Sequence, residues 1–182
     1  MKQSACFLLF GLLLVSVSCK VTNPIVEDTG IIMWSEERPL AWSDFRGPVA
    51  EDTRWGAVTV SFLAYRIIDK NKTMVAAWFN KDQSWRAYER PDLLIHEQYH
   101  FKITELCARE MRKIVTEKKI GPKTNEFIEL YSNQTKLCNA MQKEYDDITF
   151  HGQNKEQQAL QEQSINEKLK ALEAFRNPII EF

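Results

Sequence analysis

Residues 91–102 read PDLLIHEQYHFK and begin the longest helical pattern in the chain. Pro91 suits the first turn of a helix. Apolar residues then recur at helical spacing as far as Lys118, so the sequence predicts one long helix. Because a helix turns by about 100° per residue, His96 and His100 lie on the same face of it.

The pattern His-Glu-x-x-His on a helix is typical of zinc hydrolases. Two imidazoles one turn apart can bind one ion, and Glu97 lies beside them, where its carboxylate can take a proton from water. Zinc brings the pKa of bound water to about 7, which makes the water a nucleophile at neutral pH. Two of the chain's three histidines stand in this motif. We therefore predict that His96 and His100 bind Zn²⁺ and that Glu97 is the general base in peptide-bond hydrolysis.

A catalytic zinc needs a third protein ligand. The candidate side chains are His151, Glu105, Glu144, Asp146 and Asp147. Glu105 lies about 180° around the helix from His96 and points away, where it can pair with the sheet or the third helix. If the first two helices are antiparallel neighbours with Cys107 opposite Cys138, His100 faces Tyr145 and His151 comes beside His96. We predict His151 as the third ligand, with Glu144, Asp146 and Asp147 as alternatives.

Residues 57–67 alternate between apolar and polar side chains and predict a strand, and residues 73–79 predict the next strand of a hairpin. Helical patterns follow at 92–118, 124–148 and 153–175, the first ended by Gly121-Pro122. Strands before helices indicate an α+β fold. We expect a small antiparallel sheet followed by a three-helix segment, zincin-like, with the histidine motif on the first long helix. Residues 73–80 are expected to be an edge strand that aligns an extended substrate.

The N-terminus indicates export. Residues 5–17 are apolar over a length that suits a signal peptide and is too short to span a membrane. Cys19 directly follows a small residue, as at bacterial lipoprotein cleavage sites. We predict a signal peptide at 1–18, a lipid-anchored tether at 19–30 and a single metallopeptidase domain at 31–182. The protein would be an outer-membrane lipoprotein of the cell envelope facing the periplasm or the cell surface; plain secretion is the alternative.

Composition limits the partners. The 182 residues allow one domain, and the formal charge of -1 comes without a cluster of Lys and Arg. We therefore expect a peptide or protein substrate, no nucleic acid, membrane contact only through a lipid on Cys19, and a monomer. Cys107 and Cys138 form either a disulfide or two buried thiols, and the sequence leaves both open.

Several short motifs are similar to those of one bacterial family. They are HEQYHF at 96–101, Ile103, Glu105, Ala108-Arg109, Tyr145-Asp146, Thr149, His151-Gly152 and, upstream, LAWSDFRG at 40–47. Over about residues 34–175 the chain thereby resembles a bacterial family of unknown function that is described as secreted zinc-dependent proteases. The resemblance implies that His151 completes the zinc site, and it implies no substrate.

Two other functions fit the same residues. The site can hold zinc structurally in a non-catalytic envelope lipoprotein that binds a partner, or it can serve a zinc amidase that acts on cell-wall material. An open coordination position beside a cleft would distinguish an enzyme from the binding protein. The width and polarity of the cleft would distinguish a peptidase from the amidase.

Overall fold

The computed structural model describes residues 30–182, so the predicted signal peptide, the lipidation of Cys19 and all of the tether except Gly30 lie outside the described residues. Small antiparallel sheets and three helices confirm the α+β class. The elements are β1 (Ile31–Met33), β2 (Ala57–Val58), β3 (Ser61–Ile67), β4 (Lys72–Asn80), β5 (Trp85–Arg86), α1 (Pro91–Lys118), α2 (Asn125–Thr149), α3 (Lys155–Ala171) and β6 (Ile179–Glu181), with 3₁₀ turns at Trp42–Asp44 and Glu173–Phe175.

The main sheet is built around β4. β3 pairs with one side of it, in antiparallel register from Ser61 opposite Phe79 to Ile67 opposite Thr73. β1 and β6 share the other side and pair with its two ends. Since both sides of β4 are occupied, the prediction that residues 73–80 form an edge strand is wrong. The reason is that two three-residue segments from distant parts of the chain, too short to carry a recognisable pattern, complete the sheet.

The strand predicted from Ala57 divides into β2 and β3. Thr59 and Val60 lie between these two strands. Thr59 Oγ1 donates to the carbonyl of Glu97 (3.2 Å), and the N–H of Val60 donates to Ser84 Oγ (2.9 Å). β2 then pairs with β5 in a separate two-stranded sheet. The break therefore ties this part of the chain to the turn of α1 that carries the histidine motif.

Helix α1 lies between the main sheet and the other two helices. Its Ala108, Met111 and Val115 pack in one buried cluster with Leu63 and Val75 of the sheet. Another buried cluster joins α1 to α2 and α3 through Leu106 and Cys107 of α1, Cys138 of α2, and Ile165 and Leu169 of α3. Full burial of one such aliphatic side chain contributes about 1.5–3 kcal/mol. The helix that carries the motif is thus held on both sides.

The chain turns that follow α1 and α2 contain residues with positive φ. Lys119 adopts a left-handed conformation (φ 54°) and ends α1 two residues before the predicted stop at Gly121. After α2, Phe150, His151 and Gly152 all have positive φ, at 48°, 52° and 76°. Two consecutive non-glycine residues in this region are strained, and such strain tends to occur at functional sites.

A buried ion cluster fixes the far side of α1. Glu105 Oε1 accepts from Arg112 Nη2 (2.6 Å) and from Arg109 Nε (3.0 Å). Arg112 also donates to the carbonyl of Val75 in β4, and Arg109 to that of Leu169 in α3. Glu105 therefore points away from the histidines, as predicted, but it pairs with two arginines of its own helix, and these arginines make the contacts with the sheet and the third helix.

Cys107 and Cys138 are free, buried thiols at the interface of α1 and α2. The two helices are antiparallel, as predicted. Gln134 of α2 contacts Cys107 of α1, and Gln142, later in α2, contacts His100, earlier in α1. Among residues 30–182, none of the helices is long and apolar enough to cross a membrane.

Candidate metal centre

His96 and His100 project from adjacent turns of α1 and bring their Nε2 atoms to 3.2 Å from each other. The two side chains are 2% and 11% exposed, so both imidazoles are largely removed from water. The helical spacing of the motif thus yields the expected pair of nitrogens on one face.

Asp146 of α2 meets these histidines. Its Oδ1 lies 3.1 Å from His96 Nε2 and 3.1 Å from His100 Nε2. The ligand atoms of His96, His100 and Asp146 all lie within 4.8 Å of one another, which makes the three side chains a group that can hold a metal ion. The sequence placed Asp146 among the alternatives for the third ligand.

His151 reaches the same carboxylate from the left-handed turn after α2. Its Nδ1 lies 3.2 Å from Asp146 Oδ1, while its ring packs against Trp55 with 3.8 Å between centroids. Its side chain is 39% exposed, in contrast to the two buried histidines. His151 therefore borders the centre, as the antiparallel register predicted, but it does not belong to the tight group of three.

The remaining candidates lie elsewhere. Glu105 is enclosed by its two arginines, Asp147 is exposed and paired with Lys143, and Glu144 is exposed. Tyr145 faces His100, as predicted, with ring centroids 5.1 Å apart, and it also stacks on His96. It therefore packs behind the histidines.

Glu97 is 3% exposed and lines the same cleft as the histidines. Its Oε2 is buried and has no hydrogen-bond partner among residues 30–182. A buried carboxylate oxygen without a partner is costly, so it indicates a position where water or a ligand binds.

Gln142 of α2 holds His100 from behind. Its Oε1 lies 2.6 Å from His100 Nδ1, and its Nε2 donates to the carbonyl of His100 (2.8 Å) and to Thr104 Oγ1 (3.0 Å). Sequence reasoning missed this residue. The available signal was its position one helical turn before Asp146, on the face of α2 that meets α1.

The charges of the centre depend on one another. Burial by itself would raise the pKa of Asp146, but hydrogen bonds with His100 and His96 and the nearby imidazoles hold that pKa well below its usual range. Burial lowers the pKa of His96, whereas for His100 the hydrogen bond to Asp146 and the charge of Glu97 outweigh burial and raise the pKa. The carboxylate is thus ionised and favours a positive charge between these groups.

The centre opens into a cleft of about 560 Å³. One wall is the chain from Arg54 to Ser61, and the other includes Asn139 and Gln142 of α2. Trp55, on the first of these walls, contacts both His151 and the guanidinium of Arg54, which lies 4.6 Å from the Trp55 ring centroid. Both polar and apolar groups are therefore within reach of a molecule in the cleft.

No family model, curated protein or solved structure matches this chain. The resemblance to secreted zinc-dependent proteases therefore rests on the quoted motifs.

Proposed function

We propose that this protein is a zinc-dependent metallopeptidase of the bacterial cell envelope, with a zincin-like fold. The observation that carries the proposal is the meeting of His96 Nε2, His100 Nε2 and Asp146 Oδ1 at 3.1–3.2 Å, beside the unpartnered Oε2 of Glu97. Two imidazoles and one carboxylate are a common ligand set for catalytic zinc.

The residues fit such an ion for a second reason. A cation at this point can take the place of the Nε2 protons that bond to Asp146, because the two neutral imidazoles and the carboxylate then all offer it lone pairs. Bound zinc supplies Lewis acidity, which activates water and polarises a carbonyl. We assign His96, His100 and Asp146 as ligands, with His151 as the hydrogen-bond partner of Asp146. The competing assignment is His151 as the third ligand, as the sequence and the family resemblance predict.

Glu97 carries the proton steps in this proposal. Its carboxylate takes a proton from the attacking water as the oxygen bonds to the carbonyl carbon. The same carboxyl then gives the proton to the amine nitrogen as the peptide bond breaks. Burial beside the cleft keeps bulk water from competing for its free oxygen.

The segment from Ala57 to Ser61 is the part of the cleft wall best suited to align a substrate. β2 pairs on one side only with β5 in its two-stranded sheet, and the segment lines the cleft. A strand edge next to a cleft can pair with the main chain of an extended peptide. We therefore assign the alignment of an extended substrate, which the sequence predicted for residues 73–80, to residues 57–61.

One observation favours the non-catalytic alternative. His96, His100, His151 and Asp146 offer four donor groups, and four protein ligands are typical of structural zinc. In that case the protein would be an envelope lipoprotein that binds a partner. Envelope location and the lipid on Cys19 remain proposals from the sequence in either case.

The test combines zinc content with cleavage of a peptide library that includes cell-wall peptides. We expect one zinc per chain in the wild type. Glu97→Gln should keep the zinc and lose at least about 100-fold in kcat, the usual contribution of a general base. Glu117→Gln, an exposed change near the end of α1, is the matched control. Zinc without cleavage of any peptide would favour the binding protein, and a wild type without zinc would refute the proposal.

A further inference from the structure

We infer that Gln142 is a positioning residue that keeps a proton on Nδ1 of His100, so that Nε2 is the nitrogen left to bind an ion at the candidate metal centre. The inference rests on the proposed function for the identity of the ion. It goes beyond that function because it assigns a role to a side chain that lies behind a ligand.

The amide of Gln142 has only one orientation that satisfies its surroundings. One end lies 2.8 Å from the carbonyl oxygen of His100 and 3.0 Å from Thr104 Oγ1, and the other end lies 2.6 Å from His100 Nδ1. A peptide carbonyl can only accept a hydrogen bond, so the NH₂ end must face it. The amide oxygen is therefore the group that meets the imidazole.

The orientation of the amide then decides the tautomer of the ring. An amide oxygen can only accept, so His100 Nδ1 must carry the proton in the 2.6 Å contact. In a neutral imidazole the other nitrogen is then unprotonated. His100 Nε2, which meets the acceptor Asp146 Oδ1 at 3.1 Å, is thus the nitrogen that can release its proton to a metal ion, while Nδ1 keeps its proton for the amide oxygen.

Further contacts keep the amide in place. Thr104 Oγ1, which accepts from Gln142, is itself 2.7 Å from Ser61 Oγ of β3 and donates weakly to the carbonyl of His100 (3.3 Å). The lock therefore links α2, α1 and β3. His96 differs, since its buried Nδ1 has no hydrogen-bond partner among residues 30–182. Only one of the two histidines on α1 is fixed in this way.

A purely structural role for Gln142 would be to join α2 to α1, and Gln134 offers a matched control for that role. Gln134 is also a buried glutamine of α2, and its Nε2 donates to the carbonyl of Cys107 on α1 (3.3 Å). It lies two helical turns from Gln142, away from the metal centre. Gln134→Met therefore removes a similar link without touching a histidine.

Two substitutions at position 142 separate the functions of the amide. Gln142→Met removes both the donor and the acceptor. Gln142→Glu keeps an acceptor for His100 Nδ1 but loses the donor to the backbone carbonyl. If the tautomer lock matters, the Glu variant should retain zinc affinity better than the Met variant, although both lose the link between the helices.

The first readout is Zn²⁺ affinity, measured on the full chain by competition with a chelating dye. We expect Gln142→Met to weaken binding by about 10- to 100-fold, as loss of an outer-shell partner does. Gln142→Glu should stay closer to the wild type, and Gln134→Met should leave affinity unchanged. Equal losses in Gln142→Met and Gln134→Met would overturn the inference.

The second readout is the ¹⁵N NMR spectrum of the histidine side chains in metal-free protein, which shows whether Nδ1 of His100 carries a proton. We expect His100 to be protonated on Nδ1 in the wild type and in Gln142→Glu, and to populate both tautomers in Gln142→Met. A wild type in which Nδ1 of His100 carries no proton would overturn the inference. Because this readout needs neither zinc nor peptide cleavage, its failure is distinct from a failure of the proposed function.

Discussion

At the scale of the residue, the open question is which side chain completes the set begun by His96 and His100. Asp146 Oδ1 contacts both histidines at 3.1 Å, whereas His151 contacts the aspartate and lies against Trp55. The aspartate thus occupies the position between the histidines. The geometry favours Asp146 as a ligand and His151 as the group that orients it.

Alanine substitution tests this assignment. We expect Asp146→Ala to reduce zinc content to background, because it removes a ligand. His151→Ala should keep zinc but weaken its binding by about 10- to 100-fold, as the loss of an outer-shell partner does. Asp147→Ala is the matched control, since this neighbouring aspartate is exposed and pairs with Lys143. Zinc retained in Asp146→Ala and lost in His151→Ala would establish the assignment predicted from the sequence.

Gly152 is a second residue on which the centre depends. It has φ +76°, and a Cβ placed on it would lie 3.0 Å from His96 Cγ and 3.1 Å from Gln158 Oε1. We expect Gly152→Ala to cost about 1–2 kcal/mol from the left-handed backbone alone and to displace the ring of His96 as well. The checks are urea unfolding and Zn²⁺ titration.

Gly121→Ala provides the comparison for this substitution. The nearest atom to a Cβ at Gly121 is Thr124 Cγ2 at 3.7 Å, an ordinary contact. We expect that variant to keep both stability and zinc affinity. If Gly152→Ala also kept its stability and zinc affinity, the close approach of the turn to His96 would affect neither property.

At the scale of the element, α1 has two working faces. One face carries the histidines toward α2, and the other carries Glu105 and Arg112 toward the sheet, where Arg112 Nη1 donates to the carbonyl of Val75. Removing one partner of a buried ion pair leaves the other charge uncompensated. The face with Glu105 and Arg112 therefore stabilises the packing of α1 on the sheet, and it does not include the candidate metal ligands.

We accordingly expect Arg112→Met to lower the free energy of unfolding by about 3–5 kcal/mol, because Glu105 then keeps only Arg109. Zinc affinity of the folded protein should change little. Chemical denaturation and Zn²⁺ titration of the same sample measure both quantities. Lys118→Met, an exposed change in the last turn of α1, should alter stability by less than about 0.5 kcal/mol. A stable Arg112→Met variant would contradict the role given to this ion cluster.

The elements also show what a sequence can and cannot predict. α1 and its histidine motif were predictable because helical spacing and ligand spacing are properties of one continuous segment. The antiparallel register predicted His151 beside His96, and the turn at 150–152 places it there. Asp146 was one of several candidates and Gln142 was not among them, because one residue along α2 rotates a side chain by about 100° and decides whether it meets α1.

The sheet was less predictable for a related reason. β1, β2, β5 and β6 are two or three residues long, so none has a period to detect. Their pairing depends on where the chain returns after long connections. β6 follows all three helices and still pairs with β4, so the order of strands before helices holds only in part.

At the scale of the whole molecule, the centre joins segments that are far apart in sequence. His96 and His100 come from α1, Asp146 comes from α2, and Trp55 with the cleft wall precedes both. The rest of the interface between α1 and α2 contains an apolar cluster with two free thiols and hydrogen bonds from Gln134 and Gln142. An ion bound to His96, His100 and Asp146 would therefore link two helices that otherwise meet through side-chain packing and a few hydrogen bonds.

This link predicts that zinc stabilises the entire domain. A ligand that binds only the folded state at 100 times its Kd contributes about 2.7 kcal/mol, so a chelator should lower Tm and added Zn²⁺ should restore it. Asp146→Ala should show no such zinc-dependent shift, and Mg²⁺ should not replace Zn²⁺, because Mg²⁺ prefers oxygen ligands in octahedral geometry. Calorimetry with each ion provides the measurement. An equal shift with Mg²⁺, or a full zinc shift in Asp146→Ala, would mean that the stabilising ion binds elsewhere and that the two helices are not joined at this centre.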